Sequence, residues 1–250
     1  MRSALHDTFG DPAEVLHLAD SVQPEPAAGE VLVRMRLSPI HNHDLWTVRG
    51  DYGYKPTLPA IGGTEAVGTV EAVGDGVDTD LIGKRVAVAG VHGTWAEFFT
   101  APAAGLVPLA ESISDELGAQ LIAMPFSAIS LLEFLNVKEG DWVIQTAANG
   151  AVGKIFATIA KSRGVHTLNL VRRDDAVAEL EALGIENTIS TANEGWQKEA
   201  RAILGNAGAR AAIDSVGGKI ATDLADLLGT EALLVVFGTA TGAPLELSSG

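Results

Sequence analysis

Apolar and polar positions follow two different rhythms along this chain. Up to about residue 107 the apolar residues fall in short, valine-rich runs closed by glycine: GEVLVRMRL at 29–37, AVGTVEAVG at 66–74 and KRVAVAG at 84–90. Runs of this kind predict strands, and their crowding predicts a mostly β domain. A helical connector is expected over 115–136. After it, strands expected at 141–147, 166–171, 187–190, 210–214 and 232–237 alternate with helical runs such as AVGKIFATIAKSRG at 151–164 and GKIATDLADLLG at 218–229. Such alternation is the signature of a parallel sheet built from βαβ units. The expected fold class is therefore α/β, with domains at 1–115 and 116–250.

The turn after the first of these later strands carries the sharpest chemical signal. DWVIQTAANGAVGKIFATIAK at 141–161 reads as a buried strand, a tight turn of small residues and an amphipathic helix. Within it, Ala148-Asn149-Gly150-Ala151-Val152-Gly153 is the GxGxxG pattern with alanine in the first place. In such a turn Gly150 lets the backbone approach a pyrophosphate, Gly153 lets helix and strand pack closely, and the helix N-terminus offers free N–H groups to the anion. The alternative is an ordinary strand-to-helix turn in which glycine serves packing alone. The next strand, VHTLNLVRRDD, ends in Arg172 and Arg173, where an NAD-selective site would place an acid for the ribose hydroxyls. Adjacent guanidiniums suit a 2′-phosphate and favour NADPH; the alternative is a solvated turn in which they pair with Asp174 and Asp175.

Composition narrows the choice of partners. The 250 residues, 47% of them hydrophobic, suffice for two ordinary domains with a sizeable core. With 32 acidic against 17 basic residues the net charge is -15, so neither nucleic acid nor an anionic membrane surface is an expected partner. The absence of cysteine excludes disulfides, thiolate nucleophiles, iron–sulfur clusters and zinc sites built on sulfur. The first residues lack a secretory pattern, and the most apolar long stretch, 117–135, is broken by Gln120, Pro125 and Glu133. The expected location is the cytoplasm.

SPIHNHDLWTVRGDYG at 38–53 packs His41, His43 and Asp44 into four residues and follows them with Tyr52. On a strand end, histidines one residue apart point to opposite faces. No metal is therefore expected from His41, His43, Asp44 and Glu65, which read as hydrogen-bonded walls of a pocket.

In the order of its parts the chain resembles the medium-chain dehydrogenase/reductase superfamily over all 250 residues, on FGDPAEVL, GEVLVRM, GGTEAVGTVEAVG, GTWAEFFTAP, AANGAVG, DSVGG and VVFGTATG. Within it, the chain is similar to the zinc-free quinone oxidoreductase and trans-2-enoyl thioester reductase branch. The resemblance implies a GroES-like β domain followed by a Rossmann-type doubly wound parallel sheet. It also implies a truncated C-terminus, lacking a last strand and a return segment, so that the chain is either a fragment or a shortened protein. Zinc-dependent members hold their metal with a Cys, a His and a second Cys or an acid. Here His41 stands at the first of those positions and Thr64 replaces the histidine, and the resemblance too implies no metal.

RGDYG matches a short stretch that carries a tyrosine in the enoyl thioester reductases. The resemblance implies that hydride reaches the β-carbon of the substrate while the Tyr52 hydroxyl protonates the α-carbon, with backbone N–H groups or the His41 ring polarising the thioester oxygen. A phenol suits that step, since it keeps its proton near neutral pH yet can surrender it to a basic carbon. The alternative for Tyr52 is an aromatic wall of the pocket, and Tyr54 is the next candidate donor. The resemblance further implies that Asn149 to Val152 touch the pyrophosphate and that Ser127, Phe237, Gly238 and Thr239 lie near the nicotinamide. Ser127 reads equally as a helix hydroxyl bonded to its own backbone.

The leading functional expectation is an NADPH-dependent reductase of activated C=C bonds acting on a trans-2-enoyl thioester. An NADPH:quinone reductase is the first alternative, and an NADPH-binding protein without turnover the second. The partner expected is a small-molecule substrate. A homodimer is expected only where the full-length chain exists, because the sixth strand forms the usual dimer contact of the superfamily. A zinc alcohol dehydrogenase is opposed by the lack of cysteine.

Overall fold

Alternating valines build the first half of the molecule. The computed structural model describes residues 1–248, and the chain divides into one unit over Met1–Ala123 and another from Met124 onward. The first unit runs β1 (Arg2–His6), α1 (Pro12–Val15), β2 (His17–Asp20), β3 (Glu30–Leu37), α2 (Asn42–Arg49), β4 (Ala60–Ile61), β5 (Glu65–Val73), β6 (Arg85–Ala89), β7 (Phe98–Pro102), β8 (Val107–Pro108) and α3 (Asp115–Gly118). Five strands form an antiparallel sheet in the order β7-β3-β5-β6-β8, and β2-β1-β4 form a second, three-stranded sheet. The three valine-rich runs are β3, β5 and β6. Their alternate residues Val31, Val33, Val70, Val86 and Val88 meet Phe99 in the core of this unit.

α4 (Ala123–Leu135) begins on the last residue of the first unit and runs on into the second, which contains β9 (Trp142–Gln145), α5 (Ala151–Ser162), β10 (His166–Val171), α6 (Asp175–Ala182), β11 (Thr188–Ser190), α7 (Trp196–Leu204), β12 (Ala209–Asp214), α8 (Ile220–Leu227) and β13 (Leu228–Val236). The strands are parallel and lie in the order β11-β10-β9-β12-β13. Both faces are covered, which is why β9 and β12 are apolar through their middles, at Val143-Ile144 and Ala211-Ala212-Ile213. Val143, Ala211 and Ile213 point into a core with Leu131, Leu135 and Phe156 of α4 and α5. Ile144 and Ala212, one residue on, point into a second core with Trp196, Leu204 and Leu224 of α7 and α8. Full burial of a side chain the size of Phe156 contributes about 1.5–3 kcal/mol.

Two sequence expectations are corrected. The connector at 115–136 is not one helix: it breaks between Gly118 and Ala123. The N–H groups of Ile122 and Ala123, which a continuous helix would bond internally, donate instead to the Glu65 carboxylate. The helix expected to reach Gly229 stops at Leu227, and β13 begins at once with Leu228. Its pairing with β12 then slips, from Ala209↔Leu228 to Ala211↔Leu233. The intervening residues bulge, with Glu231 in the left-handed region at φ 58 and its carbonyl held by Arg210 at 2.6 Å.

Candidate active site

In the first unit, His41, His43 and Asp44 lie at the start of a helix and not on a strand end, contrary to the sequence expectation. His41 is the N-cap residue, with extended backbone. Asp44, the third helical residue, accepts the His41 N–H at 3.0 Å, which closes the start of α2 and places a buried carboxylate at the positive end of the helix. Because the cap residue lies off the helical lattice, the rings of His41 and His43 do not diverge. They stack at 5.1 Å with 26° between planes. Gly50 ends the helix at φ 82, a left-handed conformation that favours glycine, and turns the chain into Asp51-Tyr52-Gly53-Tyr54.

Thr64 and Glu65, the residue before β5 and its first, supply the other side of this cluster. Glu65 is wholly buried. Its Oε2 accepts the His41 Nε2–H at 2.7 Å, and its Oε1 accepts the N–H groups of Ile122 and Ala123 at 2.9 Å each. The Thr64 hydroxyl donates to Asp44 Oδ1 at 2.8 Å and stands 2.8 Å from His43 Nε2. Behind it, Trp95 lies over Gly62 and Gly63 so closely that a side chain at either would overlap the indole, and the indole N–H donates to the Pro39 carbonyl at 3.0 Å. The two segments carrying His41 and Thr64 are thereby fixed to each other. Desolvation pushes the His43 pKa below its ordinary value; Asp44 and Glu65 oppose this shift and the neighbouring His41 assists it.

The two tyrosines differ in setting. Tyr52 is 46% exposed, its ring 5.8 Å from that of His43, and its hydroxyl makes no hydrogen bond among the described residues. Tyr54 is stacked face to face on His92 at 4.1 Å.

In the second unit a cleft of about 310 Å³ opens at the carboxyl ends of the parallel strands, where open α/β sheets hold their ligands. Ala147 and Asn149 line it after β9, Arg172 and Arg173 after β10, Val216 after β12, and Ala240 and Thr241 after β13. The phosphate-turn geometry follows the sequence reading at Gly153, where a Cβ would meet the Ala148 carbonyl oxygen at 2.6 Å. Gly150 is the N-cap of α5, and Ala147 before it adopts φ 51, an unusual conformation for a residue with a Cβ. The arginines are not equivalent. Arg173 Nε pairs with Asp175 at 3.2 Å, whereas Arg172 makes no hydrogen bond or ion pair among the described residues.

Of the residues singled out in the sequence, Asn149, Arg172 and Arg173 line this cleft. Ala148 is buried in the core beneath the turn, Gly150 to Gly153 open α5, and Phe237, Gly238 and Thr239 follow the end of β13. Ser127 is half-buried within α4.

Asp214 entered the sequence reading only as the first residue of DSVGG, with no role of its own. It is fully buried, and its carboxylate accepts the Thr146 hydroxyl at 3.0 Å and the N–H groups of Val216 at 2.9 Å and Gly217 at 3.2 Å. Its carbonyl takes the N–H groups of Phe237 and Gly238. One acid thus shapes two walls of the cleft. The sequence signal for its role was an acid at the end of a strand, followed by the glycines of the same DSVGG stretch.

Residues 27–111 match the family model of the alcohol dehydrogenase GroES-like domain, and residues 151–249 that of the zinc-binding dehydrogenase. The chain is 32% identical, over its whole length and 73% of the relative's, to a mitochondrial enoyl-[acyl-carrier-protein] reductase of Caenorhabditis elegans. It is also 32% identical to the human protein of that name, over 99% of this chain and 68% of the relative. Among solved structures it is similar to the quinone oxidoreductase of Pseudomonas syringae, with a TM-score of 0.90 and 31% identity over 98% of this chain and 76% of that one. It is likewise similar to the Escherichia coli quinone oxidoreductase complexed with NADPH, with a TM-score of 0.91 and 27% identity over 99% and 76%. The donor set at 41, 43, 44, 64 and 65 does not fit a zinc ion. The Nε2 atoms of both histidines and both oxygens of Glu65 are turned to protein partners, and Thr64 offers only a hydroxyl. Among the described residues no group of three or more His, Cys, Asp or Glu side chains is arranged to hold a metal.

Proposed function

We propose, for a chain that belongs to the medium-chain dehydrogenase/reductase superfamily, that it uses NADPH to reduce an activated C=C bond, with a trans-2-enoyl thioester as substrate. The observation that carries the thioester reading is Tyr52, a half-exposed phenol with no hydrogen-bond partner among the described residues, set beside His43. The names of the relatives matched along the whole chain support the same class.

The second unit fits the cofactor. Its cleft has room at the strand ends, the start of α5 offers N–H groups to a pyrophosphate together with Asn149, and Arg172 is free to take a 2′-phosphate. Ser127, Phe237, Gly238 and Thr239 are assigned to the nicotinamide end. When bound, NADPH supplies hydride to the β-carbon of the substrate. Tyr52 gives its hydroxyl proton to the α-carbon. His41 has its Nε2 proton committed to Glu65, which leaves Nδ1 of the neutral ring an acceptor only, so backbone N–H groups are the donors we assign to the thioester oxygen. No helix among the described residues is long and apolar enough to cross a membrane, and the cytoplasm remains the location we assign.

The test is NADPH oxidation with a crotonyl thioester and with a simple quinone in parallel, using wild type and Tyr52→Phe. Thioester turnover that collapses in the variant is the expected result. Quinone turnover indifferent to Tyr52 would favour the quinone reductase named in the similar solved structures and make Tyr52 a wall. Tight NADPH binding with no oxidation by either acceptor would leave a binding protein.

A further inference from the structure

We propose that His43 returns the proton Tyr52 gives away, collecting it from solvent on Nδ1 and passing it to the phenolate, directly or through one water. This rests on the reading of Tyr52 as proton donor. It starts from the direction of three hydrogen bonds. Asp44, an ionised carboxylate held by the His41 N–H, can only accept, so the Thr64 hydroxyl must donate to it. The Thr64 oxygen is then left to accept, and the hydrogen on the nitrogen 2.8 Å away belongs to His43 Nε2. In the neutral ring Nδ1 therefore carries the lone pair, and it makes no hydrogen bond among the described residues.

Position and charge complete the case. The His43 ring has those of His41 and Tyr52 as neighbours at 5.1 and 5.8 Å, its side chain keeps 27% exposure, and its unbonded nitrogen is not among the buried unpartnered atoms, so solvent reaches it. The groups facing it are His41 and Asp44 at the start of its own helix, Thr64 and Glu65 from the β5 side, and Tyr52 from the following loop. Burial and His41 favour the neutral ring at rest, while Asp44 and Glu65 stabilise the imidazolium that forms in passing. The step balances: an acid from solvent protonates Nδ1, the Nδ1–H bond breaks as the phenolate O–H bond forms, and neutral His43 and Tyr52 are restored. No electrons change hands. An imidazolium is a far stronger acid than a phenol, so the transfer runs downhill.

The test is steady-state turnover of a crotonyl thioester at saturating NADPH by His43→Gln, which keeps a donor towards Thr64, and by His43→Phe, which keeps a ring against Tyr52. Circular dichroism and thermal melting confirm that each variant is folded. The expected result is a loss of kcat of about tenfold or more, with KM for NADPH unchanged; it is smaller than the roughly 10²–10⁴-fold of a group that acts on the substrate itself, because solvent reaches the half-exposed Tyr52 directly. Turnover by the variants should rise with buffer-acid concentration and recover on adding imidazole, neither of which affects wild type. The double variant with Tyr52→Phe should be no slower than Tyr52→Phe alone. Variants within twofold of wild type would overturn the relay, as would a loss that neither buffer nor imidazole restores, since His43 would then be packing only. If Tyr52→Phe alone kept full turnover, the donor reading would fail and the relay with it.

Discussion

Replacing Glu65 by alanine removes the acceptor for three largely buried donors at once. The Ile122 and Ala123 N–H groups lose partners at 2.9 Å and His41 Nε2 loses one at 2.7 Å. An orphaned buried donor costs about 1–3 kcal/mol, more where the lost partner was a charged group, which puts the site as a whole at about 3–5 kcal/mol. The donors lose the same partner and relax together, so the larger total is the expected loss and the three single costs do not add. That is a large share of a stability of about 5–15 kcal/mol. Glu65→Gln keeps the volume and one oxygen for the two backbone donors, and places an amide opposite His41. Its expected cost is about 1–2 kcal/mol. Urea unfolding followed by circular dichroism measures both through the midpoint at constant slope, and hydrogen exchange at Ile122 and Ala123 reports the joint directly. Loss of protection at these two amides should accompany the alanine change. An alanine variant within about 1 kcal/mol of wild type, or one matched by glutamine, would show that this carboxylate does not hold the start of α4.

The remaining predictions concern the cleft and His43. Arg172→Ala should weaken NADPH binding by roughly 10–100-fold, the worth of a charge-assisted hydrogen bond, and leave NADH unchanged. Arg173→Ala should do less, because its guanidinium is shared with Asp175; equal losses for both cofactors in fluorescence titrations would remove Arg172 from the 2′-phosphate. Gly153→Ala should cost about 1–3 kcal/mol by overpacking, because the new Cβ lands 2.6 Å from the Ala148 carbonyl oxygen and 2.8 Å from its Cα. Gly150→Ala, with its nearest atom at 3.2 Å, should cost less in the same thermal melts, and the reverse order would refute the packing role. His43 has a folded-state pKa below the 6.5 of the free side chain. The unfolded chain therefore binds the extra proton first, and the stability this group contributes is complete above about 6.5 and lost as pH falls through its lower folded value. Subtracting the His43→Gln curve from wild type in urea titrations at stepped pH should isolate that loss, and a difference independent of pH would contradict it.

How far the fold was legible depended on how much pattern each element had to show. β3, β5 and β6 bury alternate valines and announce themselves. β9, β10 and β12, covered on both faces, appear as short apolar runs in βαβ order. The elements that stayed hidden are those whose pairing is decided elsewhere in the chain. β4 is two residues long and exists through its match to Leu5 and His6. β8 is likewise two residues, held against Val86 and Ala87. The break between α3 and α4 depends on a carboxylate more than fifty residues earlier, and the early start of β13 on an arginine that holds a bulge. No local window contains either cause.

The candidate site divides along the same line. The AxGxxG turn marked one strand end and the arginines marked the next, because a pyrophosphate and a 2′-phosphate demand particular residue types there. Val216, Ala240 and Thr241 enter the cleft only because the sheet order puts β12 next to β9 and β13 beyond it, and Asp214, visible in the sequence only as the first residue of DSVGG, matters for the N–H groups it gathers. His41 and His43 were misplaced because a period of two was applied to what is a helix cap. Asp44, three residues after the cap, was the available signal for a helix start. Even a correct helix assignment would have left the chemistry open, since nothing in HNHD says which imidazole nitrogen carries the proton. That choice is made by Thr64, twenty-one residues away. By donating to Asp44 it obliges His43 to donate from Nε2, and so leaves Nδ1 free to take up a proton.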